Sequence, residues 1–342
     1  MDWLQTAEIT HIQKLQHVFG DYSEIMLFLS QLGDPRSAFL VCVPLVYCVS
    51  RAKGLKVMWA AVMSEWLNLI LKKLLHGQRP YWWIHFSNLF NDSNRPIIKQ
   101  YRLTCETGPG VPSGHAMVTT AVWFIMMSSL ATYLQSANQK SRTTKLLSLL
   151  PWLFLSGLAS VVCVSRVFIA SHFTHQVFLG VFVGLVVGLL VAKLPVETFA
   201  TSTHLAFAFS TVLVTFIQNG LLIAMDSDPA WSIPLALRWC DHKEWVHLDT
   251  TPFYTLARDF GSLALMVVAE RAVALKEIPS VLRKIVAAGM CLVFAQVAEL
   301  VKFSVVDVNV FYLLGAVKYG LIMVGVVVIK RLWCCGVKDK KC

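Results

Sequence analysis

The sequence predicts an all-α, polytopic membrane bundle of about nine transmembrane helices, on three observations. Of its 342 residues 56% are hydrophobic and only 15% charged, with a mean hydropathy of +0.61. Soluble domains carry about a quarter charged residues, so the apolar surplus needs lipid as its solvent. The apolar residues also gather in blocks close to the roughly twenty residues a helix needs to cross a hydrocarbon core. None of these blocks alternates apolar and polar residues as a barrel strand would.

Nine blocks qualify, at about 25–49, 57–75, 115–134, 147–164, 174–193, 203–224, 257–275, 285–303 and 310–330. Assigning the loops alternately to two sides sorts the basic residues. One side collects Arg51, Lys53, Lys56, Lys140, Arg142, Lys145, Lys193, Arg271, Lys276, Arg283 and Lys284, then Lys330, Arg331, Lys338, Lys340 and Lys341. An excess of Lys and Arg marks the cytosolic side. The N-terminus is then lumenal, the C-terminus cytosolic, and residues 1–342 form a single membrane-embedded domain. The formal charge of +10 becomes a property of orientation. Membrane lipid is an expected partner; nucleic acid is not.

Residues 1–24 lack a cationic start, an apolar core and a small-residue cleavage site, so no removable signal peptide is expected. The cytosolic tail, 331–342, ends in Lys338-Asp339-Lys340-Lys341-Cys342. It reads either as a dilysine signal for the endoplasmic reticulum or as the basic flank of a last span. Two lumenal loops, about 76–113 and 225–256, are the sizeable polar regions. They hold Cys105 and Cys240, the two of nine cysteines placed in an oxidising compartment. A disulfide between them stays open, because sequence does not fix their distance. Asn91-Asp92-Ser93 is a glycosylation sequon on the same side.

Three segments at lumenal helix ends, within the catalytic helices at about 57–193, carry candidate chemistry. Lys72 and Arg79-Pro80 lie where the second block meets the lumen, Pro112-Ser113-Gly114-His115 opens the third, and Ser165-Arg166 with His172 and Gln176 joins the fourth to the fifth. Singly they read as a snorkelling cation, a helix cap and interface anchors. Jointly they bring two histidines and three cations to one volume, a cluster that repels itself unless it binds a dianion such as phosphate. The helix start at Ser113-Gly114 offers such an anion free backbone N–H groups.

In this order the motifs resemble the three signatures of the type 2 phosphatidic acid phosphatase and vanadium haloperoxidase superfamily. A narrower resemblance, to the glucose-6-phosphatase catalytic subunit family, covers essentially the whole chain. It rests on Glu65-Trp66-Leu67-Asn68-Leu69, Arg79-Pro80-Tyr81-Trp82-Trp83, Thr104-Cys105-Glu106-Thr107-Gly108-Pro109-Gly110 and His172-Phe173 with His175-Gln176. Trp239-Cys240, Glu244-Trp245-Val246-His247 and Asp249-Thr250-Thr251-Pro252-Phe253 extend it. Met1-Asp2 and Gly33-Asp34-Pro35-Arg36 look closest to the islet-type branch of that family.

The resemblance implies hydrolysis of glucose 6-phosphate to glucose and phosphate in the lumen of the endoplasmic reticulum, the end step of glucose production. It makes His172 the nucleophile that forms a phosphohistidine, and His115 the group that protonates the sugar oxygen and then activates water. Lys72, Arg79 and Arg166, with Ser113 and Gly114, would bind the phosphate oxygens. No metal or other cofactor is implied. A separate glucose-6-phosphate transporter would deliver the sugar phosphate. A weakly active islet-type paralogue and a lipid phosphate phosphatase stay open as alternatives.

The distal nitrogen of the nucleophile needs an acceptor. Much of the superfamily has an Asp four residues on, where this chain has Gln176, so Asp34 is a second candidate for the orienting role. Asp34 also reads as a helix cap before Pro35 or as a partner of Arg36. Three departures from the family pattern are Lys73 for an aromatic, Val111 for a Ser and Thr174 for a Pro.

Overall fold

Proline has no N–H and disfavours the α conformation in the residue before it. Gly33-Asp34-Pro35 therefore interrupts the block expected as one span at 25–49. In the computed structural model, which describes residues 2–137, 142–246, 250–273, 277–303 and 307–334, α1 (Asp2–Phe19) leads to α2 (Ser23–Leu32). After the break come a π-helical turn (Ala38–Cys42) and α3 (Val43–Val49). The chain continues through α4 (Arg51–Leu75), α5 (Pro80–Phe86), α6 (Gly114–Ala137), α7 (Arg142–Leu147), α8 (Leu150–Phe168) and α9 (Thr174–Lys193). It ends with α10 (Thr201–Ala224), α11 (Ser232–Trp239), α12 (Pro252–Val273), α13 (Val281–Glu299) and α14 (Val308–Cys334). Among the described residues there is no strand.

Among the described residues seven stretches are long and apolar enough to cross a membrane: Arg51–Phe86, Gly114–Ser136, Thr143–Phe168, Thr174–Lys193, Thr201–Ala224, Val281–Glu299 and Val308–Cys334. The other two expected blocks differ for identifiable reasons. The first is broken at 33–35. The block at 257–275 falls in α12, which carries Arg258, Asp259, Glu270 and Arg271. Lys140, Lys276, the dilysine tail and the family residues His247 and Asp249 lie outside the described residues.

One close helix pairing sets the site. Gly180, Gly184 and Gly188 recur every fourth residue on one face of α9. A Cβ there would come within 2.6 Å of the Ser113 carbonyl, 2.4 Å of the Met117 carbonyl and 2.9 Å of Phe124 Cβ. Small residues at this spacing let two membrane helices meet backbone to backbone. The start of α6 is thereby held beside the start of α9, where the Ser113 N–H donates to the Gln176 carbonyl at 3.1 Å.

α12 packs against α4, α10 and α14 with Arg258, Asp259 and Glu270 inward. Arg258 donates to Glu65 of α4, and to Asp259 at 3.3 Å. All three side chains are at most 4% exposed, which membrane depth tolerates only for paired charges. A second set of ion pairs lies at the far end of α4, some 30 Å from Lys72 at 1.5 Å per residue. There Arg51 meets Glu270 (2.9 Å), Lys56 meets Glu197 (3.7 Å) and Lys330 meets Glu277 (3.1 Å). At the site end, loops 76–113 and 225–256 are joined by a Cys105–Cys240 disulfide, with the two Cα atoms 5.9 Å apart.

Arg258→Met would leave the Glu65 and Asp259 carboxylates without their cation. Breaking a buried pair this way should cost about 3–5 kcal/mol, read as a lowered unfolding midpoint of the protein in detergent. A midpoint equal to wild type would show that the two acids are accommodated without Arg258.

Candidate active site

Two arginines with almost no exposed surface form the base of the site. Arg79 precedes α5 and is wholly buried. Backbone carbonyls hold its guanidinium: Nε donates to Gly108 (2.7 Å), Nη1 to Ser171 (2.9 Å) and Nη2 to Pro109 (3.3 Å). Arg166, in the last turn of α8 and 1% exposed, donates through Nη1 to Ser30 Oγ at 2.9 Å. The turn after α8 places Ala170 in the left-handed region, at φ 56°, which costs a residue with a Cβ roughly 1–2 kcal/mol. The Ser171 N–H and hydroxyl both donate to the Arg166 carbonyl, at 3.3 and 3.0 Å. That doubled contact closes the turn and sends His172 back toward both guanidinium groups.

His172 has no exposed surface. Its Nδ1 lies 2.9 Å from the Gly110 carbonyl and 3.2 Å from Gln176 Oε1. Both neighbours are acceptors, so Nδ1 carries the hydrogen and Nε2 keeps its lone pair. Nε2 is 3.3 Å from Arg79 Nη1. Burial, and then the positive charge of Arg79, hold this ring well below the usual imidazole pKa. It is a neutral base at neutral pH. Gly110 cannot be larger: a Cβ there would stand 2.4 Å from the Gln78 carbonyl and 2.7 Å from Gln176 Oε1. Gln176 in turn donates to the Gln78 carbonyl at 2.6 Å and accepts from the Phe173 N–H at 3.2 Å.

Glu106 stands at the centre. Its carboxylate bonds Arg79 at 2.8 Å and Arg166 more closely still. His115 Nδ1 is 3.4 Å and His172 Nε2 3.9 Å from it. Burial pushes the acid up, but Arg166, Arg79 and the two histidines together bring it well below the ordinary carboxylate range. In sequence Glu106 is one residue of the family segment Thr104–Gly110, with no role marked out for it. A loop glutamate carries no periodic or spacing signal, so only its neighbours in space reveal it.

The remaining expected residues close the ring. Lys72 Nζ lies 3.6 Å from where a Cβ on Gly108 would be. Ser113 Oγ and Arg166 Nε are buried with no hydrogen-bond partner and so have bonding capacity to offer a ligand. Asn68 Nδ2 donates to the Pro112 carbonyl at 3.0 Å, fixing the chain just before Gly114 and His115. A chamber of about 100 Å³ lined by Asp34, Glu65, Asn68, Lys72, His115 and Arg258 adjoins this cluster. A wider cavity of about 530 Å³ opens past Glu106, His115, Arg166, Tyr254 and Phe311.

Asp34 lies elsewhere in the arrangement. Its carboxylate is taken by the Arg36 guanidinium at 2.6–3.1 Å and the Arg36 N–H at 2.8 Å. The ring nitrogen of His172 is held instead by Gly110 and Gln176, so the geometry gives Asp34 the pairing and capping alternatives and not the orienting one. Asn91 is exposed in a turn at 91–94. Among the described residues no group of three His, Cys, Asp or Glu side chains could hold a metal ion.

Residues 53–200 match the PAP2 superfamily. The chain is 38% identical over 268 residues to Glucose-6-phosphatase 2 of Homo sapiens, covering 77% of this chain and 75% of that protein. It is 37% identical over 265 residues to Glucose-6-phosphatase catalytic subunit 1 of Canis lupus familiaris, covering 77% and 74%. No solved structure matches it.

Gln176→Leu removes an acceptor from His172 and the tie to Gln78. It should lower turnover of a phosphomonoester about tenfold, or some 1.4 kcal/mol of barrier. Asp34→Asn should act on KM more than on kcat. Steady-state kinetics of the two variants checks both, and a larger kcat loss in Asp34→Asn would restore that residue as the orienting group.

Proposed function

This chain belongs to the glucose-6-phosphatase family of the PAP2 superfamily, and on that premise we propose that it hydrolyses glucose 6-phosphate through a phosphohistidine at His172. The observation that carries the reading is the pair of imidazoles on one anion position. His172 Nε2 and His115 Nδ1 stand within 3.9 and 3.4 Å of the same carboxylate, which two guanidinium groups also hold. A phosphoryl group there meets a nucleophile on one side and a proton donor on the other.

The chemistry follows in two steps. His172 Nε2 attacks phosphorus and forms the N–P bond, while its Nδ1–H stays on the Gly110 carbonyl. Arg79, Arg166 and Lys72 stabilise the charge spread over the non-bridging oxygens, helped by Ser113 Oγ and the Gly114 N–H. The bond from phosphorus to the sugar oxygen breaks, and His115 supplies the proton that makes the alcohol. His115 then takes a proton from water, which attacks phosphorus and releases inorganic phosphate and His172. The adjoining chamber and wider cavity accommodate the glucose.

The site is assigned to the lumen of the endoplasmic reticulum, in a nine-span chain with a lumenal N-terminus. Supporting this, Arg51, Lys56 and Lys330 gather at the end opposite the site, where cations mark the cytosol. The disulfide and the exposed Asn91 are at the site end, in keeping with an oxidising, glycosylating compartment. The two spans beyond the seven clearly apolar stretches are the broken α2–α3 segment and α12. A lumenal site requires a separate transporter to bring in the sugar phosphate.

Single-turnover labelling with phosphate-labelled glucose 6-phosphate tests the scheme. Wild type should retain an acid-labile, base-stable label and His172→Ala none. Equal labelling of the two would end it. Competition by phosphatidate stronger than by unlabelled glucose 6-phosphate would move the activity to lipid phosphates.

A further inference from the structure

Glu106 poses a conflict with the chemistry just assigned. Its two carboxylate oxygens take an Nη2 donor from each guanidinium, Arg79 and Arg166, and lie between the imidazoles of His172 and His115. This is the place a phosphoryl group must occupy. Both anions cannot hold the same donors at once. The conflict is not relieved by moving the arginines, because Arg79 is fixed by the Gly108, Ser171 and Pro109 carbonyls and Arg166 by Ser30, all independently of Glu106.

Nor is the backbone of Glu106 free to withdraw. Its carbonyl accepts from Tyr81 Oη at 3.0 Å. The preceding Cys105 is tied to Cys240, and Thr104 Oγ1 donates to the Ile169 carbonyl at 2.6 Å. The side chain is another matter. Glu106 borders both the small chamber and the wider cavity, so rotation about its own χ angles carries the carboxylate off the guanidinium groups into space already present.

We propose that Glu106 is a displaceable internal anion, occupying the phosphoryl position on Arg79 and Arg166 until a phosphomonoester replaces it. The inference rests on the phosphatase reading and adds a selectivity device to it. Lys72, Arg79 and Arg166 against one carboxylate leave a net charge near +2, matched to a dianion. A ligand carrying a single negative charge gains little by replacing a carboxylate that is already bonded to both arginines. A phosphoryl dianion, with three oxygens to share among the donors, gains more. The same competition lowers the affinity for inorganic phosphate and so speeds product release. Because its neighbours hold Glu106 ionised well below the ordinary carboxylate range, the competitor persists through mildly acidic conditions.

The test is binding of inorganic phosphate to the purified full-length protein in detergent, read as the rise of the unfolding midpoint with phosphate concentration. Glu106→Gln keeps the shape and removes the charge. Glu106→Asp keeps the charge but shortens its reach. Glu106→Gln should unfold at lower temperature without ligand, bind phosphate about tenfold more tightly than wild type, and show kcat and KM falling together as product release slows. Glu106→Asp should bind phosphate about threefold more tightly. Phosphate binding unchanged or weaker in whichever variants fold would overturn the proposal and make Glu106 a fixed strut. Wild type that binds no phosphate at all would instead defeat the phosphatase reading itself.

Discussion

Two guanidinium groups, nearly all of their surface removed from water, and a half-buried ammonium are brought to one point at the mouth of this bundle. That concentration of like charge organises much of what surrounds it. Desolvated cations need acceptors on every donor that does not face a ligand. The carbonyls of Gly108, Pro109 and Ser171 supply them for Arg79, and Ser30 of α2 supplies one for Arg166. Irregular backbone packed into the end of a membrane bundle is accommodated where it serves such a purpose or lines a cavity. The loop from Tyr101 to Gly110 does both, and the disulfide at Cys105 with the Tyr81 contact keeps it in place.

Much of the helical scaffold was legible in the sequence because hydrophobic length alone reports it. Seven of the expected blocks reappear as helical stretches of membrane-crossing length and apolarity. The first block failed as a single helix for a reason written in its own residues, Pro35 after Gly33-Asp34, which outweighs the apolar count on either side. The break places Asp34 and Arg36 at the cavity rim, a position that an unbroken helix would not give. In α12 the apolar count along 257–275 did not report how its charges are accommodated: Arg258 is neutralised by Glu65 on a helix nearly two hundred positions earlier in the chain. Pairing of that kind has no local signature.

The site divides the same way. His115, His172, Lys72, Arg79, Arg166 and Ser113 were legible because motif spacing and side-of-membrane arithmetic converge on them, and the folded chain gathers them. The orienting acceptor was not, because the Gly110 carbonyl belongs to the backbone and has no side chain to recognise. Asp34 was proposed from the cost of an acid within an apolar block, a sound premise with two solutions. The acid could pair with the histidine or with the nearest cation, and Arg36 two residues away was the cheaper partner to reach. Gln176 was half legible: its i, i+4 relation to His172 predicted a shared face, but not its bond to the Gln78 carbonyl, which ties His172 to the loop carrying Arg79.

The three departures from the family pattern show how neighbouring residues on one helix can have separate fates. Lys73 follows Lys72 directly, yet a step of about 100° around α4 turns it to a different neighbour. Its ammonium bonds Asn219 of α10 and sits 4.9 Å from the ring centroid of Phe253. A cation over an aromatic face can stand where another aromatic would otherwise pack, so Lys73 binds α4 to α10 and α12 without adding charge to the phosphoryl position. Val111 packs against Gly77, where a Cβ would lie 2.4 Å from its side chain, and Thr174 begins α9 one turn from the site. All three changes fall in the layer that supports the proposed catalytic groups and none among the groups themselves. The proposed chemistry should therefore survive them, and any difference in rate or sugar preference should trace to how firmly that outer layer holds Lys72, Gly110 and His172 in register.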